Sequence, residues 1–168
     1  MTQPRLTSPA MIALGPLRRE DAPACAHIRV APEQEIFSGT VAEAFVEDPA
    51  RFDLHGISEN GVTIGLFKID RAYHLAMPWA GPMAIGLRAF MIDHARQGRG
   101  VARAAMQRLG PYLRQQYPDA QIVKLTVDAC NLAAIRCYAT GGFIDSGRRI
   151  EGGPAGPQRM MWMDLRSA

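Results

Sequence analysis

The stretch RQGRGVARAAMQRL, Arg96 to Leu109, sets two glycines one residue apart, among arginines and directly ahead of a helical apolar pattern. A helix N-terminus leaves backbone N–H groups without intrahelical partners and carries partial positive charge. Glycine frees φ and lets an anion approach the backbone. Gly98 and Gly100 at such a position describe a seat for phosphate, to which Arg96, Arg99 and Arg103 can add charge-assisted hydrogen bonds. Two familiar phosphate patterns do not fit. Walker A needs Lys and then Ser or Thr after its last glycine, where Val101 and Ala102 stand. A GxGxxG series begun at Gly98 meets Arg103 in the third glycine's place. On glycine spacing alone, a solvated turn with surface arginines explains the stretch equally well.

A second constellation is NLAAIRCYATGGF, from Asn131 to Phe143. Asn131 and Tyr138 are seven positions apart and so lie near one face of a helix. A tyrosine hydroxyl can hand a proton to a leaving group; its plainer role is a core-edge ring packed on Phe143. Asn131 equally suits a helix N-cap. The candidate proton acceptors are Glu33, Glu35, Asp93, His94 and Asp128. No histidine stands at metal-ligand spacing with another His or Cys, so no metal is expected. The three cysteines include no CxxC pair, against a disulfide framework or zinc site. Cys130 and Cys137 are expected to share a helix face as small buried hydrophobes. Cys137 as an acyl-carrying nucleophile lacks a histidine placed to activate it.

Taken in order, Gln-x-x-Gly-x-Ala after a strand, another strand, and Asn-x-x-Ala-x-x-x-Tyr-x-x-x-Gly-Phe resemble the GNAT superfamily of acyl-CoA N-acyltransferases. The resemblance covers Leu87 to about Arg149 and extends to the element order of the whole chain. It implies a GNAT-like α/β fold: a central, mostly antiparallel mixed sheet with a splayed parallel strand pair and helices on both faces. It implies acetyl-CoA as cosubstrate. The pyrophosphate would lie on the loop Gln97, Gly98, Arg99, Gly100, Val101, Ala102 and Arg103. The pantetheine arm would run along Phe90, Met91 and Ile92, with Asn131 opposite, Tyr138 near the thioester sulfur as acid, and Glu33 as base. An N–H of Met91 or Ile92 would face the developing oxyanion. More finely, LRAFMIDHARQGRGVARAAM and VAPEQEIFSGTVAEAF are similar to the diamine and polyamine acetyltransferase branch, which implies a small amine acceptor. An aminoglycoside, an amino acid or a protein N-terminus are the other acceptors to weigh, and a non-catalytic acyl-CoA-binding sensor is the competing class. The family is often dimeric, and QRMMWMDL near the C-terminus is a candidate interface or, equally, a core strand.

The elements that must hold these residues follow from pattern. MIALGPL reads as a first strand. REDAPACAHIRV reads as a helix with Asp21 as N-cap and Pro23 in its first turn. APEQEIF reads as a connector. Thr40 and Glu43 form a capping box for a short helix closed by Pro49. FDLHGIS and VTIGLFKID flank Glu59-Asn60-Gly61 as a hairpin. RAYHLAMPWAGPMAIG is loop-like, and Leu87–Asp93 is a strand. Apolar positions Ala102, Ala105, Met106, Leu109 and Leu113 make one helical stripe, with a kink or break expected at Gly110-Pro111. QIVKLTV reads as a strand covered on both faces. NLAAIRCYAT is a helix stopped by glycine, and FIDSGRRI and QRMMWMDL are two last strands.

Mixed strands and helices over 168 residues fit one domain spanning residues 1–168, with residues 1–10 flexible. The composition, 48% hydrophobic and 21% charged, is that of a globular protein. No apolar run approaches the roughly 18 residues a membrane span needs, and no signal-peptide pattern opens the chain; a reducing cytoplasm is the expected compartment. The net charge of +3 is spread thinly. Nucleic-acid binding would show a denser basic stripe with interleaved aromatics, so none is expected.

Overall fold

The computed structural model describes residues 10–166; the flexible lead expected over residues 1–10 lies, but for Ala10, outside them. Its strands are β1 (Ile12–Leu17), β2 (Phe52–Glu59), β3 (Val62–Asp70), β4 (Ala84–Ile92), β5 (Ile122–Asp128), β6 (Ile144–Gly153) and β7 (Gly156–Asp164). Its helices are α1 (Ala22–Cys25), α2 (Glu35–Ser38), α3 (Val41–Phe45), α4 (Tyr73–Ala76), α5 (Val101–Gln116) and α6 (Leu132–Thr140). The strands form one sheet in the order β1-β2-β3-β4-β5-β7-β6. Every pairing is antiparallel except β4 with β5, which is the mixed α/β architecture expected. The parallel pair is joined only over Ala84–Gly86 against Ile122–Lys124; beyond that the two strands splay.

The two faces of the sheet bury different partners. On one, Phe67, Ile69, Leu87, Ile92, Val123 and Leu125 pack under Met106, Leu109 and Leu113 of α5. On the other, Leu66 and Met91 pack under Cys25 of α1 and Ala44 and Phe45 of α3. The C-terminal end of α5 is also tied by polar bonds. The ring of buried His55 on β2 bonds the hydroxyls of Tyr112 and Tyr117, each at 2.7 Å, and Tyr117 donates to Asp53 at 2.8 Å.

Local patterns held where local chemistry dominates. Asn60 and Gly61 both take positive φ, as a two-residue primed turn requires. Glu43 N–H donates to Thr40 Oγ1, and Thr40 N–H to Glu43 Oε2, the reciprocal bonds of the capping box. Differences arise where tertiary contacts decide. α5 runs unbroken through Pro111, because Leu109, Gly110 and Leu113 are buried and that packing outweighs one lost helical bond. β4 begins at Ala84 rather than Leu87, drawn into the sheet by β5, and α4 interrupts the loop before it. The connector APEQEIF folds into a 3-10 turn at Pro32–Gln34 and then α2. Asp21 precedes α1, but its carboxylate accepts from Arg18 N–H instead of capping that helix. β5 buries Val123, Leu125 and Val127, while Ile122, Lys124 and Thr126 are only half-buried, so it is not covered on both faces. Cys130 sits in the turn before α6 and is exposed; it shares no helix face with Cys137. β7, carrying Met160 to Met163, has both edges paired, to β5 and β6, and is a core strand.

Candidate active site

The site begins with a kink in β4. Leu66 faces Met91 and Lys68 faces Arg88, so β4 carries one residue more than β3 across that interval. Ala89 absorbs it at φ 53°, a left-handed conformation that costs a non-glycine residue energy and concentrates at functional sites. The bulge lies just past the last β4–β5 pair and opens one edge of β4. Asp93 N–H donates to Ile64 O on β3 at 2.8 Å. Strand alternation then turns the polar groups of Ile92, and of Phe90 two residues earlier, toward the open edge. The Met91 amide faces β3: a Cβ on Gly65 of that strand would stand 2.4 Å from Met91 O. Of the Met91 and Ile92 amides only that of Ile92 points to the open edge; Met91 lines the cleft.

The wedge between β4 and β5 holds a cleft of about 410 Å3. Glu33, Phe90, Met91, Ile92, Gln97, Gly98, Gly100, Val101, Ala102, Arg103, Asn131 and Tyr138 all line it. Gly98 and Gly100 take φ 72° and 78° with open space where a Cβ would be. Their need is therefore for backbone conformation, not room. Among the described residues no group accepts from the N–H of Gly98, Arg99 or Gly100, and the first turn of α5 adds further unpaired N–H groups. This cradle fits a pyrophosphate. The arginines are not equivalent. Arg96 pairs with Glu59 at 2.8 Å and Arg99 approaches the same carboxylate at 3.9 Å, and neither lines the cleft. Arg103 lines it and has no ion-pair partner among the described residues. Gln97 is spent internally: its amide exchanges two hydrogen bonds with Gln34 and donates to Ile92 O. It therefore holds the loop to the turn at Pro32–Gln34 and to the end of β4.

Asn131 is an N-cap that also lines the cleft. Its Oδ1 caps α6 through Ala134 N–H at 3.2 Å, which leaves its amide NH2 for the cleft. Tyr138 stacks edge-on to Phe90 and Phe143, with centroids 6.3 and 5.8 Å away, and its hydroxyl has no partner among the described residues. Burial raises its pKa above the ordinary tyrosine value, so it stays protonated at neutral pH. Burial likewise pushes the Cys137 thiol up to about 11, leaving it un-ionised and a poor nucleophile.

A second arm of about 460 Å3 continues past Tyr138. Phe37, Ser38, Phe90, Asn131, Ala134 and Tyr138 line both arms. The second arm adds Lys68, Tyr73, Arg88, Thr126 and Asp128. Asp128 is 4% exposed, and among the described residues its carboxylate accepts only a long 3.4 Å bond from Ala155 N–H. Glu33 is exposed and lines the loop's arm but not the second. Glu35, Asp93 and His94 line neither arm; Asp93 is committed to Arg29 N–H. Lys68 and Arg88 belong to no sequence motif. Their signal was present as lone cations inside the strand runs VTIGLFKID and LRAFMID.

Known proteins share this architecture. The profile of the acetyltransferase (GNAT) family matches residues 16–143. An uncharacterized N-acetyltransferase, YbbJ, of Bacillus subtilis is 26% identical over 106 residues. That match spans 62% of this chain and 66% of the relative, just under two thirds of its length. Among solved structures, an aminoglycoside acetyltransferase, AAC(6')-Ib, in complex with coenzyme A superposes with a TM-score of 0.70 at 19% identity, covering 93% of this chain and 96% of that one. Spermidine N-acetyltransferase from Vibrio cholerae, in complex with CoA and spermine, superposes at 0.67 and 16% identity, covering 92% and 96%. At such identities these structures establish the fold, while the family profile reaches from the end of β1 to the residue before β6 and takes in the whole loop, wedge and α6. The chain therefore belongs to the GNAT acetyltransferase family.

Proposed function

We propose that the protein transfers an acetyl group from acetyl-CoA to a primary amine by direct attack in a ternary complex. The observation that carries this is the shared wall of the two arms. A thioester laid along β4 from the Gly98–Gly100 cradle, and an amine entering the second arm, meet beside Tyr138. Holding both reactants in one cleft supplies the proximity term. Acetyl-CoA supplies an activated acyl group whose carbonyl oxygen gains charge as nitrogen attacks.

This chain's residues serve the balance of that step. The open edge of β4 lays its N–H groups along the acyl-pantetheine chain, one of them on the carbonyl oxygen. As the C–N bond forms and the C–S bond breaks, Asp128 accepts the proton from nitrogen and Tyr138 gives one to the departing sulfur. Arg103 and the loop amides hold the pyrophosphate, and the Asn131 amide holds the pantetheine arm. Asp128 replaces Glu33 as base because it stands on the acceptor side. Diamines and polyamines head the acceptor panel through the resemblance in Leu87–Met106, although Lys68 and Arg88 on the acceptor wall oppose a polycation.

The test is thiol release from acetyl-CoA across a panel of amines, with both substrates varied. Intersecting initial-rate lines support a ternary complex; parallel lines would indicate an acyl-enzyme. Tight acetyl-CoA binding with no turnover of any amine would favour the sensor.

A further inference from the structure

Lys68 and Arg88 are direct cross-strand partners on β3 and β4, both lining the acceptor arm. Like charges directly opposite one another destabilise a sheet, so the pair needs compensation. Only part is present. Lys68 pairs with Glu47. Beneath Arg88 lies Asp70, fully buried, but its oxygens are taken by Arg51 Nε and Nη2 at 2.8 and 2.6 Å and by Ala72 N–H. Arg88 Nε comes within 3.4 Å of Asp70 Oδ2 yet is buried without a hydrogen bond. The terminal nitrogens of Arg88 have no partner among the described residues. Arg51 and Lys68 are met by the carboxylates of Asp70, Glu47, Asp48 and Glu43, whereas the Arg88 guanidinium makes no hydrogen bond among the described residues and is open to the arm.

The guanidinium is also held in place. It lies over the Tyr73 ring, 5.3 Å from its centroid. That ring lies against Gly86, where a Cβ would come within 2.2 Å of it. A stacked, oriented guanidinium presents a planar fork that matches a carboxylate. Across the same arm stands the Asp128 carboxylate, which suits an ammonium or amine.

We propose that the acceptor is a primary amine that also bears a carboxylate, and that Arg88, backed by Lys68, binds that carboxylate while Asp128 faces the amine. This rests on the acetyl-transfer reading above and narrows its substrate class to amino acids and small peptides with a free C-terminus.

The experiment compares acetyl transfer to L-amino acids, to their C-terminal amides and to the corresponding descarboxy amines, with spermidine alongside. In parallel, calorimetry measures binding of N-acetyl amino acids and their amides to the CoA-loaded protein. The expected result is a preference for the free carboxylate in both assays. Arg88→Gln should raise KM for the carboxylate acceptor by about 10- to 100-fold, the loss of one charge-assisted hydrogen-bonded contact, and leave CoA affinity unchanged. Arg88→Lys keeps the charge and the fold and should recover part of the loss. Turnover that favours amides or spermidine, and that Arg88→Gln leaves untouched, overturns the carboxylate anchor while transfer stands. Carboxylate-dependent binding lost in Arg88→Gln, without turnover of any amine, sustains the anchor and overturns the transfer. Neither binding nor turnover overturns both.

Discussion

The network at the C-terminal end of α5 makes stability depend on pH in a calculable way. Tyr117 gives its proton to Asp53, so its oxygen accepts from His55 Nε2–H, and His55 Nδ1 accepts from the Tyr112 hydroxyl. The neutral ring satisfies both partners; a second proton on Nδ1 would turn the Tyr112 hydroxyl from donor to acceptor and leave a charged ring buried away from water. Burial, opposed in part by the Asp53 charge, lowers the His55 pKa to about 4. The unfolded chain therefore takes up this proton as pH falls through its ordinary value near 6.5, while the folded chain resists until about 4. The stabilisation is full above pH 6.5 and is lost on acidification. At about 1.36 kcal/mol per pH unit, the total is about 3 kcal/mol, with about 2.5 kcal/mol gone between pH 7 and 4.5. The assay is urea unfolding of the native protein and of His55→Gln across that range. Glutamine keeps a donor and an acceptor but does not titrate. The variant should start lower and fall less, by about 2 to 3 kcal/mol. Equal losses in the two proteins would refute the neutral, doubly bonded ring.

Other outcomes follow from the cleft. Tyr138→Phe should lower kcat by about 100-fold with acetyl-CoA affinity nearly unchanged, measured by initial rates and calorimetry. Gly100→Ala forces a side chain into left-handed backbone at about 1 to 2 kcal/mol and should weaken CoA binding, seen by titration. Arg103→Ala should weaken CoA binding and flatten its salt dependence, whereas Arg99→Ala, at a carboxylate-paired position, should change both little. Gly86→Ala displaces the Tyr73 ring, costing about 1 to 3 kcal/mol, and should raise acceptor KM more than acetyl-CoA KM.

The chain disclosed the coenzyme half of the site far better than the acceptor half, for a physical reason. Backbone cradles demand glycine at particular offsets, so Gly98, Gly100 and the helix behind them form a contiguous signal. The hairpin at Asn60-Gly61 and the capping box at Thr40 are local in the same sense. The acceptor wall is assembled from β3, β4, β5 and α4, and a cation such as Arg88 gains meaning only from its neighbour across the sheet and the buried carboxylate beneath. Glu33 is hard to rank for the same cause: position along the chain does not say which side of a wedge a short turn faces, and the turn sets it on the loop's arm. The unbroken α5 shows packing overriding a local rule, since Pro111 alone argued for a break.

The bulge at Ala89 acts as a phase change. Before it, odd-numbered Ile85 and Leu87 face α5; after it, even-numbered Phe90 and Ile92 do. The strand thereby exchanges which parity meets the core, and Arg88 and Met91, of opposite parity, come to share the other face. Substitutions within β4 can be absorbed one side chain at a time. Loss of a single residue between Arg88 and Phe90 cannot, because every later side chain and amide of the strand would rotate to the wrong side together. The length of that interval is thus a tighter constraint on this protein than the identity of the residue that fills it.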